Sequence, residues 1–169
     1  HSTRPYPGPN GIGAARLLAT RHLAQPLTTP VSQPSMGRHQ GIHHNLDPLY
    51  TFPKRRLVKH LVRDLPLRTS ALRSLGAYAN VFAIESFIDE LAEAAGVDPF
   101  EFRLRQLTDE RAIAVLKAAA ERMGWDETEP GHGRGIAFAQ YKNVKAYLAV
   151  GMELEVTDAA EVRLHRAVV

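Results

Sequence analysis

The hydrophobic period of the chain changes at Pro130, and that change limits its fold more than any other feature. Before it, Ile84, Phe87, Ile88, Leu91, Ala92 and Ala95 recur at helical spacing, with Glu85, Asp89, Glu90 and Glu93 over most of the remaining surface. This is the pattern of an amphipathic helix. Asn80 is a suitable N-cap for it and Gly96 a suitable stop. Asp98-Pro99 then places a capping side chain before a proline at the first helical position, predicting a short helix to Gln106. A third helix, capped by Asp109 or Thr108, carries Ala112, Ile113, Leu116, Ala119, Ala120 and Met123 on one face and ends at Gly124. Beyond Pro130, Arg134 to Tyr141 reads as a strand. Ala146, Leu148, Val150, Met152, Leu154 and Val156 then alternate with Tyr147, Ala149, Gly151, Glu153 and Glu155, a period of two. Thr157 to Glu161 is a turn, and Val162 opens a further strand. Three helices followed by an antiparallel β-meander make the fold class α+β.

The first 53 residues differ from the rest. They hold most of the prolines and glycines, and only Ala14 to Leu23 reads as a short helix. An irregular stretch of this length is unusual inside a self-contained domain; it suits a segment draped over a larger structure, with disorder as the alternative. Arg55 to Val62, flanked by Pro53 and Pro66, is expected to be a short strand. The organisation read from the chain is therefore an irregular segment (1–53), a strand, loop and helices (54–129), and a β-meander (130–169). The last strand is cut by Val169, so the chain is expected to be a piece of a longer protein; a natural edge strand is the alternative.

Composition removes several function classes. There are no cysteines, which excludes disulfides, thiolate catalysis, and Cys-ligated zinc or iron–sulfur clusters within this stretch. The formal charge is +3 with a pI of 9.4, but the basic residues are scattered among acidic ones, against the clustered patch that nucleic acid requires. Nucleic-acid binding through Lys54 to Arg73 stays a weaker alternative. No run approaches the ~20 apolar residues of a transmembrane helix. No charged-then-apolar leader is present, leaving the compartment open between cytoplasm and periplasm.

One loop stands out for chemistry. Leu72-Arg73-Ser74-Leu75-Gly76-Ala77-Tyr78-Ala79-Asn80 leads into the strongest helix. A helix N-terminus presents unpaired amides and about half a positive charge. An arginine and a glycine directly upstream suit an anionic or oxo-bearing ligand, although simple turn chemistry explains the same residues.

The run Leu67 to Ala92 resembles the large, molybdopterin-binding subunit of the xanthine dehydrogenase/aldehyde oxidase family, in its isoquinoline 1-oxidoreductase or nicotinate dehydrogenase-like branch. Gly96-Val97-Asp98-Pro99-Phe100-Glu101-Phe102-Arg103, then Asn45, Pro48, Leu49, Tyr50 and Pro53, and Gly133 to Ala137 with the meander, extend the likeness over nearly the whole chain. The resemblance implies that Arg73 and Ser74 lie beside the cofactor through backbone amides, that Gly76 permits close backbone approach, and that Leu75 faces the substrate pocket. Purine-oxidising relatives carry an aromatic residue there; leucine leaves an apolar wall without a stacking ring. His44 stands where relatives of this branch often carry arginine, a conditional charge in place of a permanent one.

The resemblance further implies a parent enzyme that hydroxylates aldehydes or N-heteroaromatic compounds. Its cofactor would be molybdopterin, in the cytosine dinucleotide form, with none expected on this fragment alone. The partners implied are the remainder of the same subunit, an iron–sulfur small subunit, a cytochrome or flavin electron-transfer partner, and a second copy in a homo-oligomer. The family's catalytic glutamate and its glycine- and glutamine-rich cofactor segments have no counterpart here, so no catalytic residue is assigned and the fragment is expected to be inactive. Glu85, Glu90, Glu153 and Glu155 read as helix-terminal charge or solvated faces. The rival to an enzyme part is a protein-binding or scaffold module without a cofactor.

The remaining signals carry no functional assignment. His39, His43 and His44 could ligate zinc but lack a helical register, so no metal is expected. Gly8 to Gly13 lacks the ending of a phosphate loop. Lys54-Arg55-Arg56 reads as a solvated face or a contact to the rest of the parent. Trp125 is expected to pack back on the third helix beside Gly124.

Overall fold

The computed structural model describes residue 19, residues 22–26, residue 37, residues 41–60, residue 62, residues 72–127 and residues 129–169. The expected phosphate-like loop Gly8 to Gly13, most of the helix expected over Ala14 to Leu23, and His39 lie outside the described residues. The α+β architecture follows the two hydrophobic periods. Helices α1 (Ala77–Ala94), α2 (Pro99–Gln106) and α3 (Glu110–Met123) precede strands β1 (His132–Gln140), β2 (Tyr147–Val156) and β3 (Val162–Val168). The strands form an antiparallel sheet in sequence order with β2 at its centre. No described helix is long and apolar enough to cross a membrane.

The turn chemistry between helices is as the sequence predicts. Asp98 accepts from the amides of Phe100 and Glu101, and Pro99 opens α2. Asp109 accepts from Arg111 and Ala112 at the start of α3, which Gly124 ends in the left-handed region. Trp125 donates its backbone N–H to Ala120, as expected of a residue folding back on α3. Its ring also reaches α2, lying 6.1 Å from Phe100, and its indole N–H donates to Asp98.

The core lies between the helices and one face of the sheet. Ile88, Ala112, Leu116, Ala119, Ala120, Ile136, Phe138 and Ala149 form it, with Tyr50 and Leu107. Each fully buried leucine or isoleucine contributes about 1.5–3 kcal/mol relative to exposure. α3 crosses β1 and β2, and Gly151 makes the approach feasible: a Cβ there would stand 2.4 Å from Met123 Cγ.

Two expected elements differ. Arg55 to Val62 is not a strand over its described residues; these are largely exposed and pair with no sheet strand. With prolines flanking it and no described strand paired with it, its β-branched and apolar residues join no ladder among the described residues. α1 begins at Ala77, three residues before the expected cap at Asn80. Its buried stripe is Ala77, Glu85, Ile88 and Ala92, while Phe87, expected on the apolar face, is 57% exposed.

The glutamates require the largest correction. Glu85 is buried. Its Oε2 accepts from Arg103 Nε (3.0 Å) and the Phe138 amide (2.9 Å), and its Oε1 from the Tyr50 hydroxyl (2.8 Å). Arg103 is fully buried, and also donates to Asp89, to the Pro99 carbonyl and to the Glu85 carbonyl. Burial pushes the Glu85 carboxyl up, opposed by Arg103, the Phe138 amide and Tyr50. Burial, reinforced by the Glu85 charge, raises the Tyr50 hydroxyl strongly. Glu153 is buried as well, between His132 (2.7 Å) and Arg134. The hydrogen bond to His132, with Arg134 assisting, holds its carboxyl below the ordinary range. Both glutamates face inward because an opposite charge from another element meets them there.

The two sheet faces are unequal. Ala149, Gly151 and Glu153 of β2 face the helices; Leu148, Met152 and Val156 point the other way and are exposed, as are Val162 and Leu164 of β3. On β2 and β3 the larger apolar side chains thus lie on the open face, whereas β1 turns Ile136 and Phe138 to the helices.

Candidate functional site: the loop before α1

The loop that the sequence singles out is bent sharply. Ser74 (φ 69°) and Leu75 (φ 53°) are consecutive left-handed residues, a combination that side chains rarely adopt and that surrounding structure must hold. Much of that structure is the short 3-10 turn Gly41–His43. Gly76 donates its amide to the Gly41 carbonyl (3.0 Å), and a Cβ on Gly76 would stand 2.5 Å from the Ile42 carbonyl oxygen. Only glycine fits against that backbone. Asn80, instead of capping α1, donates its side-chain amide to the carbonyls of Ile42 and His44. The turn is in turn tied to the sheet: Asn45 donates to the Gln140 carbonyl and to Asn143, and accepts from the Lys142 amide.

This seating places Leu72, Arg73 and Ser74 at the surface, Leu75 half-buried, and Gly76 and Ala77 buried. The amides of Leu75, Gly76 and Ala77 already donate to the carbonyls of Leu72, Gly41 and Ser74. They are therefore not the donors a ligand would meet. One step on, in the first turn of α1, the amides of Tyr78 and Ala79 precede the first intrahelical acceptor.

Electrostatics set this helix start apart. α2 and α3 begin at aspartates that neutralise their N-termini. α1 begins at Gly76, with no acidic residue in its first turn. Its partial positive charge remains, with the exposed Arg73 beside it, and that end favours an anionic or oxo-bearing group.

Other expected site residues separate. His43 is bonded to the Gly37 carbonyl and to Lys59, whereas His44 is fully buried with its ring 5.0 Å from Tyr141. His44 lies in the interior rather than at the surface, and the two histidines do not share a ligand position. An open groove of about 1000 Å³ runs along Asp47 to Arg55 with Asn143 and does not include the loop. Sequence reasoning misses Gly41–His43 and Asn80 as the loop's support, since an irregular turn leaves no period to read.

Comparisons with known proteins give the family. The molybdopterin cofactor-binding domain family matches residues 16–107, and the chain belongs to it. A nicotinate dehydrogenase subunit of Pseudomonas putida is 47% identical over 89 residues, 47% of this chain and 8% of that protein. The aldehyde oxidoreductase molybdenum-binding subunit PaoC of Escherichia coli O157:H7 is 34% identical over 83 residues, 42% of this chain and 11% of that protein. The beta subunit of isoquinoline 1-oxidoreductase of Brevundimonas diminuta is 33% identical over 82 residues, 46% of this chain and 10% of that protein. The chain thus spans about a tenth of the length of these relatives, and α3 and the sheet lie beyond the family match.

Proposed function

We propose that this chain is part of the large subunit of a molybdenum-dependent oxidoreductase acting on aldehydes or N-heteroaromatic compounds, and that it contributes one wall of the cofactor and substrate site. The observation that carries this reading is the start of α1: an N-terminus without a carboxylate cap, behind an exposed Arg73-Ser74 held in place by the Gly41–His43 turn. Molybdopterin, in its cytosine dinucleotide form, would supply the redox chemistry when bound. Arg73 and Ser74 lie beside it, and the Tyr78 and Ala79 amides with the α1 dipole favour its anionic groups. Gly76 acts from behind, letting the helix start press against Gly41–Ile42. Leu75 forms an apolar wall of the substrate pocket. The chain orients and excludes water; the catalytic residue and the remaining cofactor contacts come from the rest of the subunit, so this stretch alone is inactive. The partners are that remainder, an iron–sulfur small subunit, a cytochrome or flavin protein that takes the electrons, and in a homo-oligomer a second copy.

The test is made on the full-length gene product from a molybdate-supplied host. Near-stoichiometric molybdenum is expected, and Leu75→Phe should change the ratio of kcat/KM between an aldehyde and an N-heteroaromatic substrate about tenfold, the scale of ~1–3 kcal/mol for reshaping an apolar pocket. An unchanged ratio removes Leu75 from the pocket. A folded product without molybdenum favours the non-catalytic docking module, a reading that the open sheet face supports.

A further inference from the structure

Three side chains from three different strands meet at one end of the sheet, far in sequence from the loop. His132 opens β1 and lies directly across from Glu155 in the β1–β2 register. His165 belongs to β3. There the register steps from Glu153↔Arg166 to Leu154↔Leu164, so His165 is the extra residue of a β-bulge. Bulges re-aim side chains, and this one turns His165 onto His132: the two rings stack at 4.2 Å with an 18° tilt. His165 Nε2 stands 3.2 Å from Glu155 Oε2. One ligand atom from each of His132, Glu155 and His165 lies within 4.8 Å of the other two.

What separates this cluster from a chance surface group is Glu153. Its buried carboxylate meets His132 Nδ1 at 2.7 Å and is fixed from the other side by Arg134. Arg134 itself reaches the carbonyls of Gly124, Trp125 and Glu127, so it is anchored to the end of α3. A carboxylate on one ring nitrogen holds the proton there and leaves the other with its lone pair outward, which is how proteins prepare a metal-ligating histidine. Arg134 balances Glu153, leaving Glu155 as the net negative charge of the cluster. Arg163, opposite Glu155 in the β2–β3 register, is paired with Glu161.

We propose that His132, Glu155 and His165 form a zinc site that clips the three strands together, with Glu153 as the positioning carboxylate for His132. Two imidazoles and one carboxylate are a ligand set that zinc takes, with water in the fourth position. Zinc–ligand bonds of about 2.0–2.2 Å require the three ligand atoms to lie roughly 3.3 Å apart, a closure that rotation of the half-exposed His165 and Glu155 side chains provides. Those side chains are 39% and 33% exposed and His132 is 20% exposed, so an ion has access from solvent.

The experiment titrates untagged, chelator-stripped full-length protein with zinc alone, in competition with a chromogenic chelator at neutral pH, comparing wild type with variants. Wild type should hold one zinc more than His165→Ala, and Glu155→Gln should match His165→Ala. Both variants sit on half-exposed strand positions, and equal far-ultraviolet circular dichroism controls for folding. Glu153→Gln should keep the site but weaken it about 10- to 100-fold. Cobalt substituted for zinc should give visible bands of a four-coordinate ion in wild type and not in His165→Ala. Equal zinc in wild type and His165→Ala overturns the site. Undiminished affinity in Glu153→Gln overturns the role given to that carboxylate.

Discussion

Glu85 and Glu153 are both buried carboxylates held by an arginine, yet their surroundings differ in kind. Around Glu85 the partners come from α2, β1 and the irregular segment that carries Tyr50, and Arg103 is sealed from solvent. Around Glu153 they are neighbours on β1, at the rim of the sheet, and His132 keeps a solvent-facing edge. The first cluster joins elements that otherwise share little surface. The second arranges side chains on a sheet that its backbone ladder already holds. A sealed ion pair is costly to break because the remaining charge has no water to turn to; a rim pair has that alternative.

The sharpest way to break this contrast is Arg103→Ala, which strands Glu85 without its countercharge. A loss of about 3–5 kcal/mol in unfolding free energy is expected by denaturant titration at neutral pH. The double change Glu85→Leu with Arg103→Met should recover most of it. A loss below about 1 kcal/mol, the scale of a surface pair, would erase the distinction.

Glu153→Gln should have a smaller effect with a different signature. The folded-state carboxyl of Glu153 is held below its ordinary value of 4.5, so its stabilisation is present above that value and is lost as pH falls through the folded-state value. Denaturant melts carried from neutral to acid pH should show a shallower acid loss for Glu153→Gln than for wild type. Identical slopes would mean that His132 and Arg134 do not stabilise the charged form.

The smallest effect is expected at the surface. Asp109 is held below its ordinary 3.8 by the Tyr147 hydroxyl and by the Ala112 and Arg111 amides. Tyr147→Phe should let its carboxyl rise toward 3.8 in an NMR titration while stability at neutral pH barely moves. The sign is that of Glu153: charge stabilises, and acid removes the contribution.

The helices and the meander are legible in the sequence because each change of hydrophobic period is readable and a capping aspartate reinforces it at α2 and α3. Asp98-Pro99 and Asp109 mark two starts, and Gly124 one end. Glu85 escapes such a reading although it sits three residues before Ile88 and seven before Ala92, inside the buried stripe. A glutamate there reads as exposed until Arg103 is known to lie opposite, and that pairing crosses two helices. The loop Arg73 to Gly76 is legible as a position. Its shape is not, because the turn that enforces it is about 30 residues upstream and has no repeating pattern. The zinc cluster is hidden for a similar reason: His165 joins His132 through a register step that no spacing encodes.

Methionine chemistry adds a consequence to the unequal faces of the sheet. Met123 is sealed under Gly151, while Met152, on the same strand as that glycine, looks outward at 44% exposure. Dilute peroxide should therefore convert Met152 to its sulfoxide early and leave Met123 as a thioether until the core opens. The two residues, resolved as separate peptides by mass spectrometry, act as paired internal clocks. One times the covering of the outer face, the other the lifetime of the interior.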